Sequence, residues 1–333
     1  MATFLYDNHG RPLNYLRLAV TDRCNLRCFY CMPEEGIHYL PKKELLTFEE
    51  IIRLVSVLAS MGISKVRLTG GEPFVRNDLM QLISRLVEVP GVRDVHLTTN
   101  GVLTGPHIPE LKRLGIASVN LSLDSLDKER FKKITRRDEF DETLRTLNLL
   151  LANDIPVKVN AVVMADKNVA DIVPLALLTR DHDIAIRFIE EMPFNGDGRL
   201  ADPSLLWNYA KILQHLRAHF PDIQKLTDPD HATASHYKIP GYKGVIGIIA
   251  AFSRTFCGTC NRIRVTAQGT LKTCLYDDGV LNIKELLRSG LSDEELAQKL
   301  LHAFNHRPKN GFEAEASRKD HQTAHESMST IGG

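Results

Sequence analysis

Tyr15-Leu16-Arg17-Leu18-Ala19-Val20 runs, three residues later, into Cys24-Asn25-Leu26-Arg27-Cys28-Phe29-Tyr30-Cys31. The first six residues read as a strand. The segment after them holds three cysteines spaced by three residues and then by two. A short loop of this kind can wrap three thiolates around one face of a cubane iron–sulfur cluster. A cubane has about four irons, so three cysteines leave one iron open for chemistry. A structural zinc site normally takes four protein ligands, and no histidine stands at the expected interval. Inert core thiols are the other plain alternative, but three at this spacing would be coincidence.

Outward from this segment, strand and helix patterns alternate. Strand-like runs are Tyr15–Val20, Lys65–Thr69, Asp94–Thr98, Ser118–Leu123, Val157–Met164 and Ala185–Glu190. Helical patterns fall at Thr47–Met61, Asn77–Val87, His107–Leu114, Phe140–Asn153 and Val169–Thr179, and Thr47 with Glu50 reads as a capping box. Such a series predicts parallel strands with helices outside, in a doubly wound sheet or a barrel. Each strand ends in polar or glycine-rich residues: Thr69-Gly70-Gly71-Glu72-Pro73, Thr98-Thr99-Asn100-Gly101, Ser122-Leu123-Asp124-Ser125. The fifth strand carries Lys158 and Asn160, and the sixth carries Arg187 and Glu190 and ends near Met192. Turn chemistry explains any one of these, but in a parallel barrel the strand ends share a site.

After Met192 the rhythm breaks. Pro193–Asp202 reads as a loop, Leu205–His219 as an amphipathic helix, Tyr242–Ala250 and Arg262–Thr266 as strands, and Asn282–Arg288 and Ser292–Asn305 as helices. Residues 306–327 are polar and are expected to be mobile. The division expected is 1–199 for the barrel and 200–333 for a C-terminal region.

The composition is that of a globular protein: 333 residues, 43% hydrophobic and 25% charged. A formal charge of +1 gives no global field toward nucleic acid or an anionic membrane. No secretory signal or membrane-spanning run is read, so the expected location is cytoplasmic. The six cysteines fall in two groups of three, which suits metal ligation better than disulfide pairing.

The second group is Cys257-Gly-Thr-Cys260, then Cys274 after thirteen residues. Again one iron of a cluster would stay open; the alternative, a zinc ribbon, lacks its fourth ligand. Arg262 and Arg264 alternate on a strand and point to one side, as suits phosphate groups, or else form a solvated charged face.

Cys24 through Cys31, with an aromatic before the third cysteine, resembles the signature of the radical S-adenosylmethionine superfamily, and Gly70-Gly71-Glu72-Pro73 resembles its second motif. The resemblance implies a partial (βα)6 TIM-like barrel. It narrows to the GTP 3′,8-cyclase family of molybdenum cofactor biosynthesis on several segments. These are Thr21 through Pro33, Val66 through Pro73, Thr98 through Gly101, Asn120 through Ser125, Val157 through Asn160, Arg187 through Pro193, Phe256 through Leu275, and Met328 through Gly333. It implies two 4Fe-4S clusters, on Cys24, Cys28 and Cys31 and on Cys257, Cys260 and Cys274. It implies an S-adenosylmethionine site at Tyr30, Gly71, Ser122 and Met192. GTP would be held by Arg17, Arg67, Thr98, Lys158, Arg262, Ile263 and Arg264. Arg17, Arg187, Arg262, Arg264, Gly332 and Gly333 would assist turnover. The implied partners are an electron donor and the enzyme that converts the product to cyclic pyranopterin monophosphate, with the protein a monomer or homodimer. A peptide-modifying maturase and a non-enzymatic metal-binding protein are the competing readings.

Overall fold

The computed structural model describes residues 5–192, 206–318 and 327–331. From β1 (Tyr15–Ala19) the chain runs through α1 (Phe48–Ser60), β2 (Lys65–Thr69), α2 (Leu79–Val87), β3 (Asp94–Thr99) and α3 (Ile108–Arg113). It continues through β4 (Ser118–Ser122), α4 (Lys128–Thr135), α5 (Phe140–Ala152), β5 (Val157–Val163), α6 (Ile172–Asp181) and β6 (Ala185–Glu190). The six strands predicted before Met192 agree within a residue at each end, whereas the one expected over Tyr242–Ala250 forms only over Val245–Ile249. Thr47 and Glu50 form the capping box at the start of α1. Helix α4 is absent from the periodicity reading because Lys128, Glu129, Arg130, Lys132 and Lys133 swamp its narrow stripe; only Phe131, Ile134 and Thr135 are buried.

The C-terminal region adds α7 (Tyr209–His219), β7 (Gln224–Lys225), β8 (Ser235–Lys238), β9 (Val245–Ile249), β10 (Arg262–Val265), β11 (Thr270–Lys272) and β12 (Leu281–Asn282). Then follow α8 (Ile283–Arg288), α9 (Asp293–Phe304), α10 (Gly311–Ala316) and α11 (Met328–Ile331). These strands join the same sheet, whose order is β12-β11-β10-β1-β2-β3-β4-β5-β6-β9-β8-β7. β10 pairs with β1 and β9 with β6, both parallel, so the run of six parallel strands grows to eight. Antiparallel pairs finish both edges, and the barrel stays open.

Alternation gives the sheet two unlike faces. The outer face carries Leu16, Leu18, Val66, Leu68, Leu97, Val119, Leu121, Val159, Ile186 and Phe188, all fully buried in one core that also holds Leu54, Leu82, Leu111, Leu150 and Leu175 of the helices. The inner face carries Tyr15, Arg17, Lys65, Arg67, His96, Asn120, Lys158, Asn160 and Arg187, and it lines a cavity. A closed barrel of this kind fills its inside with Val, Ile and Leu; this one leaves a polar interior.

The polar composition of 306–327 misleads in part. Arg307 is buried against Asp7. Asn310 caps α10 by accepting from the backbone N–H groups of Phe312 and Glu313. The chain there is ordered because its charges are paired inside. Residues 319–326 and the predicted loop Pro193–Asp202 lie outside the described residues.

The first cysteine loop follows β1 and is tied down on both sides. Gly71 N–H donates to the Thr21 carbonyl and Glu72 N–H to the Arg23 carbonyl, both at 2.8 Å. Arg27 N–H reaches the Thr135 carbonyl and Phe29 N–H the Ile134 carbonyl, at the end of α4. A Cβ on Gly71 would lie 2.2 Å from the Arg23 carbonyl oxygen, and one on Gly70 would lie 2.3 Å from that of Thr21. Glycine is needed at both positions for that approach. Gly71→Ala should therefore push the cysteine loop away. It should cost about 1–3 kcal/mol of stability as an overpacking change and selectively lower the iron held by the first triad, as checked by thermal melting and iron analysis.

Candidate active site

A cavity of about 530 Å³ is lined by all six cysteines. Cys24, Cys28 and Cys31 follow β1, whereas Cys257 and Cys260 precede β10 and Cys274 follows β11. β10 is parallel to β1, with Tyr15 opposite Arg262 and Arg17 opposite Arg264. The two triads therefore sit at opposite ends of the parallel strands. A five-residue strand spans roughly 17 Å, which leaves room between the triads for a nucleotide.

The inner face between them is a lattice of cations set by register. Arg264, Arg17, Arg67 and His96 are consecutive neighbours across β10, β1, β2 and β3. Thr98, Asn120 and Lys158 form a second row, and Ser122, Asn160 and Arg187 a third. Gly247 lies opposite Arg187, where a Cβ would crowd the arginine's Cγ at 3.0 Å. These residues stand along the strands, not only at the C-terminal ends where the sequence reading gathers them.

Crowding shows in the ionisation of these groups. Burial, then repulsion by Arg264, drives Arg17 well below the usual arginine range. Burial and Arg262 bring Arg264 to about 10, burial and Arg67 bring Arg187 to about 10, and burial and Arg187 bring Lys158 to about 8. His96 falls to about 3 through burial and Arg67. Burial opposes ionisation of Tyr15, but Arg67 and Arg17 outweigh it and the phenol falls to about 8. Arg67 is partly satisfied by the Tyr15 hydroxyl and by the Leu97 carbonyl at 2.7 Å. Nε and Nη2 of Arg187, Oγ1 of Thr98, and Oδ1 of Asn120 and Asn160 are buried without hydrogen-bond partners. Such groups fit a ligand rich in anionic and polar atoms.

At the first triad, Tyr30, Gly71, Ser122 and Met192 line the same cavity. Tyr30 donates to Asp124 Oδ2 at 2.8 Å, and Asp124 also accepts from Val162 N–H at 2.8 Å. Burial lifts Asp124 to about 6. Burial likewise lifts Glu72 to about 7, although it accepts from Thr99, Asn100 and Phe74. Asn100 Nδ2 reaches Cys24 Sγ at 3.7 Å. Burial raises Cys24 to about 11, Cys31 to about 12 and Cys274 to about 11. Buried thiols of this kind lose their protons by binding metal. Among the described residues no three His, Cys, Asp or Glu side chains converge as around one ion. A cubane fits the donor set better, because each thiolate takes a different iron.

Cys260 differs. Burial raises it, but Arg262 and Arg307 outweigh burial and bring the thiol to about 6. Arg262 donates to Cys260 Sγ from Nη2 at 3.2 Å and from Nε at 3.4 Å, and its Nη1 reaches Thr233 Oγ1 at 3.0 Å. Arg262 is thus turned toward the second triad, while Arg264 faces Arg17. Ile263 does not share their side: alternation packs its side chain in the core, so a nucleotide contact there would be through the main chain. Gly332 and Gly333 lie outside the described residues. The sequence reading omits His96 and Asn120, which inward alternation on β3 and β4 would have found. It also omits Arg254 and Arg307, which lie in irregular segments with no periodic signal.

Comparison with known proteins agrees with the site. The sequence matches the Radical SAM superfamily over residues 18–178 and Molybdenum Cofactor Synthesis C over residues 184–313. Fold and site together define a radical S-adenosylmethionine enzyme. The crystal structure of Streptococcus suis SuiB bound to S-adenosylmethionine shares the fold, with TM-score 0.60 and 14% identity over 88% of this chain and 69% of that one. Molybdenum cofactor biosynthesis protein 1 of Bos taurus is 40% identical over 296 residues, 89% of this chain and 46% of that protein. The chain spans about half the length of such relatives. GTP 3′,8-cyclase of Syntrophomonas wolfei is 40% identical over 330 residues, 96% of this chain and 99% of that protein. The chain belongs to the GTP 3′,8-cyclase family, whose cofactors are S-adenosylmethionine and two iron–sulfur clusters.

Lys158 tests the electrostatic reading. Its folded value of about 8 lies below the usual 10.5, so the buried charge is destabilising below pH 8 and the penalty fades as pH rises toward 10.5. Lys158→Met should raise the melting temperature of the nucleotide-free protein at pH 7, and that advantage should shrink from pH 8 upward. The variant should also lose about 1.5–3 kcal/mol of polyphosphate binding, measured by calorimetry.

Proposed function

We propose that this protein converts GTP to 3′,8-cyclo-7,8-dihydro-GTP, the first step of molybdenum cofactor biosynthesis. The observation that carries the reading is one cavity with a cysteine triad at each end and a cationic lattice between. Cys24, Cys28 and Cys31 hold one 4Fe-4S cluster; Cys257, Cys260 and Cys274 hold the other. When bound and reduced, the first cluster with S-adenosylmethionine supplies a 5′-deoxyadenosyl radical that takes the hydrogen from ribose C3′ of GTP. The C3′ radical forms a bond to guanine C8, and one electron and one proton complete the product. One hydrogen atom leaves and one electron and one proton enter, so the product is isomeric with GTP.

The chain's own residues bind, orient and exclude. Tyr30, Gly71, Ser122 and Met192 shape the S-adenosylmethionine site. Two glycines bring the main chain of β2 close enough to meet the methionyl ammonium. Arg17, Arg67, Thr98, Lys158, Arg187 and Arg264 meet the triphosphate and ribose, where the buried unpartnered atoms of Arg187 and Thr98 would find acceptors and donors. Arg262 serves Cys260 and the guanine end together. A cavity walled by the sheet keeps water from the carbon radical. The excess of inward cations favours a polyanion over a peptide. The electron donor is a separate protein or reductant, the next enzyme takes the cyclised nucleotide, and the protein acts in the cytoplasm as a monomer or homodimer. Among the described residues no helix is long and apolar enough to cross a membrane.

Anaerobic incubation with GTP, S-adenosylmethionine and a reductant should yield 5′-deoxyadenosine and a new compound of GTP's mass with a different retention time. Cys24→Ala should abolish both products. Cys274→Ala should abolish the cyclised nucleotide while some 5′-deoxyadenosine persists. A C-terminal role carries a further expectation. Glycines can thread a narrow channel, so removal of Gly332 and Gly333 should stop cyclisation and spare both clusters and uncoupled cleavage; normal cyclisation by the truncated protein would count against it.

A further inference from the structure

Close to the N-terminus, a hairpin-like turn bridged between Tyr6 and Pro12 carries Asp7 and Arg11. The Asp7 side chain is fully buried, with Arg11 and Arg307 almost so. Asp7 Oδ2 accepts from Arg11 Nε at 2.7 Å and from Arg307 Nη1 at 2.8 Å. Its Oδ1 accepts from the backbone N–H groups of His9 and Arg11. One carboxylate thus fixes two guanidinium groups whose remaining donors point elsewhere.

Two of Arg11's contacts tie down the chain after Arg307, with Nη1 donating to the Lys309 carbonyl at 2.8 Å and Nη2 to the Pro308 carbonyl at 2.9 Å, and the other donors reach the second triad. Arg11 Nη1 donates to the Cys257 carbonyl at 3.2 Å. Arg307 Nη1 donates to the Cys260 carbonyl at 3.3 Å, and its Nη2 to the Arg262 carbonyl at 3.0 Å. Arg307 Nε and Nη2 both reach the carbonyl of Thr273, the residue before Cys274, at 3.1 and 2.9 Å. Each of the three cysteines therefore lies in a peptide segment held by the same buried cluster. These segments come from two places in the sequence, the Cys257–Cys260 turn with the start of β10 and the residues just after β11. Arg307 Nη2 also stands 3.9 Å from Cys260 Sγ. Two guanidinium groups against one carboxylate leave a net positive charge beside the thiolates.

We propose that Asp7, Arg11 and Arg307 form a positioning clamp for the second cluster, setting the spacing of its three thiolates and raising its reduction potential. The clamp rests on the two-cluster reading above. It meets the inner face only at the main chain of Arg262 and makes no hydrogen bond to the first cysteine loop, so its loss should be felt at the second cluster and not at the first. A planar fork is needed at position 307 because carbonyls of three separate residues are met by one side chain, which a lysine ammonium cannot span.

The test compares wild type, Arg307→Lys, Arg307→Gln and Asp7→Asn after anaerobic reconstitution, by iron content, electron paramagnetic resonance of the reduced clusters with redox titration, and 5′-deoxyadenosine formation without GTP. Wild type should hold about eight irons, from two four-iron clusters. Arg307→Gln and Asp7→Asn should fall to about four and lose the second resonance while 5′-deoxyadenosine formation persists; any second cluster that survives should titrate at lower potential. Arg307→Lys should lie between wild type and Arg307→Gln. Variants with both clusters at unshifted potentials would overturn the clamp alone. Variants that lose both clusters and cleavage together would reduce it to a general fold contact, which also overturns it. A wild type with only about four irons would overturn the two-cluster reading and the clamp with it.

Discussion

Positive charge gathered on the inner face of the barrel is the constraint on which the rest depends. Arg17, Arg67, Lys158, Arg187 and Arg264 share one polar face, and Arg17 and Arg264 are register neighbours that repel. Two of the carboxylates that line the same cavity, Asp124 and Glu190, are engaged elsewhere. Asp124 holds Tyr30, and Glu190 accepts from Tyr209 and Ser253. The outer face of the same strands supplies the stability that tolerates this arrangement, through a continuous apolar core against the helices. A polyanion bound on this face would relieve the repulsion, in keeping with the nucleotide proposed as substrate.

Topology explains why the two cysteine triads face one cavity. The first triad follows a parallel strand and the second precedes one, so a single sheet separates them by about a strand's length. Had the C-terminal region formed an appended body, its cysteines would have needed a separate docking surface. Instead β9 and β10 extend the sheet at both edges, and the second triad is built into the barrel wall. Distinct devices place the two loops. Glycines and main-chain hydrogen bonds hold the first, and buried guanidinium groups hold the second.

Much of this was legible in the residues. Tyr15–Val20 and the cysteines after it place the first site, because a period of two followed by close thiols has few other readings. Arg262 and Arg264 are legible as sharing one side of a strand, although the turn of Arg262 toward Cys260 leaves no trace in the spacing. The pairing of β10 with β1 was not legible, since strand order across a long insertion leaves no local trace. Arg307 was hidden for another reason: a polar segment reads as mobile when its buried partner, Asp7, lies at the far end of the chain. Helix α4 escaped because its charged residues mask two buried hydrophobic ones.

The central claim is that a radical made at the first triad reaches the ribose of a nucleotide held by the cationic face. GTP carrying deuterium at ribose C3′, incubated anaerobically with S-adenosylmethionine and a reductant, tests it most directly. The account predicts that the label appears in 5′-deoxyadenosine in step with a cyclised nucleotide that has lost it. Unlabelled 5′-deoxyadenosine, with the deuterium retained in GTP, would contradict it.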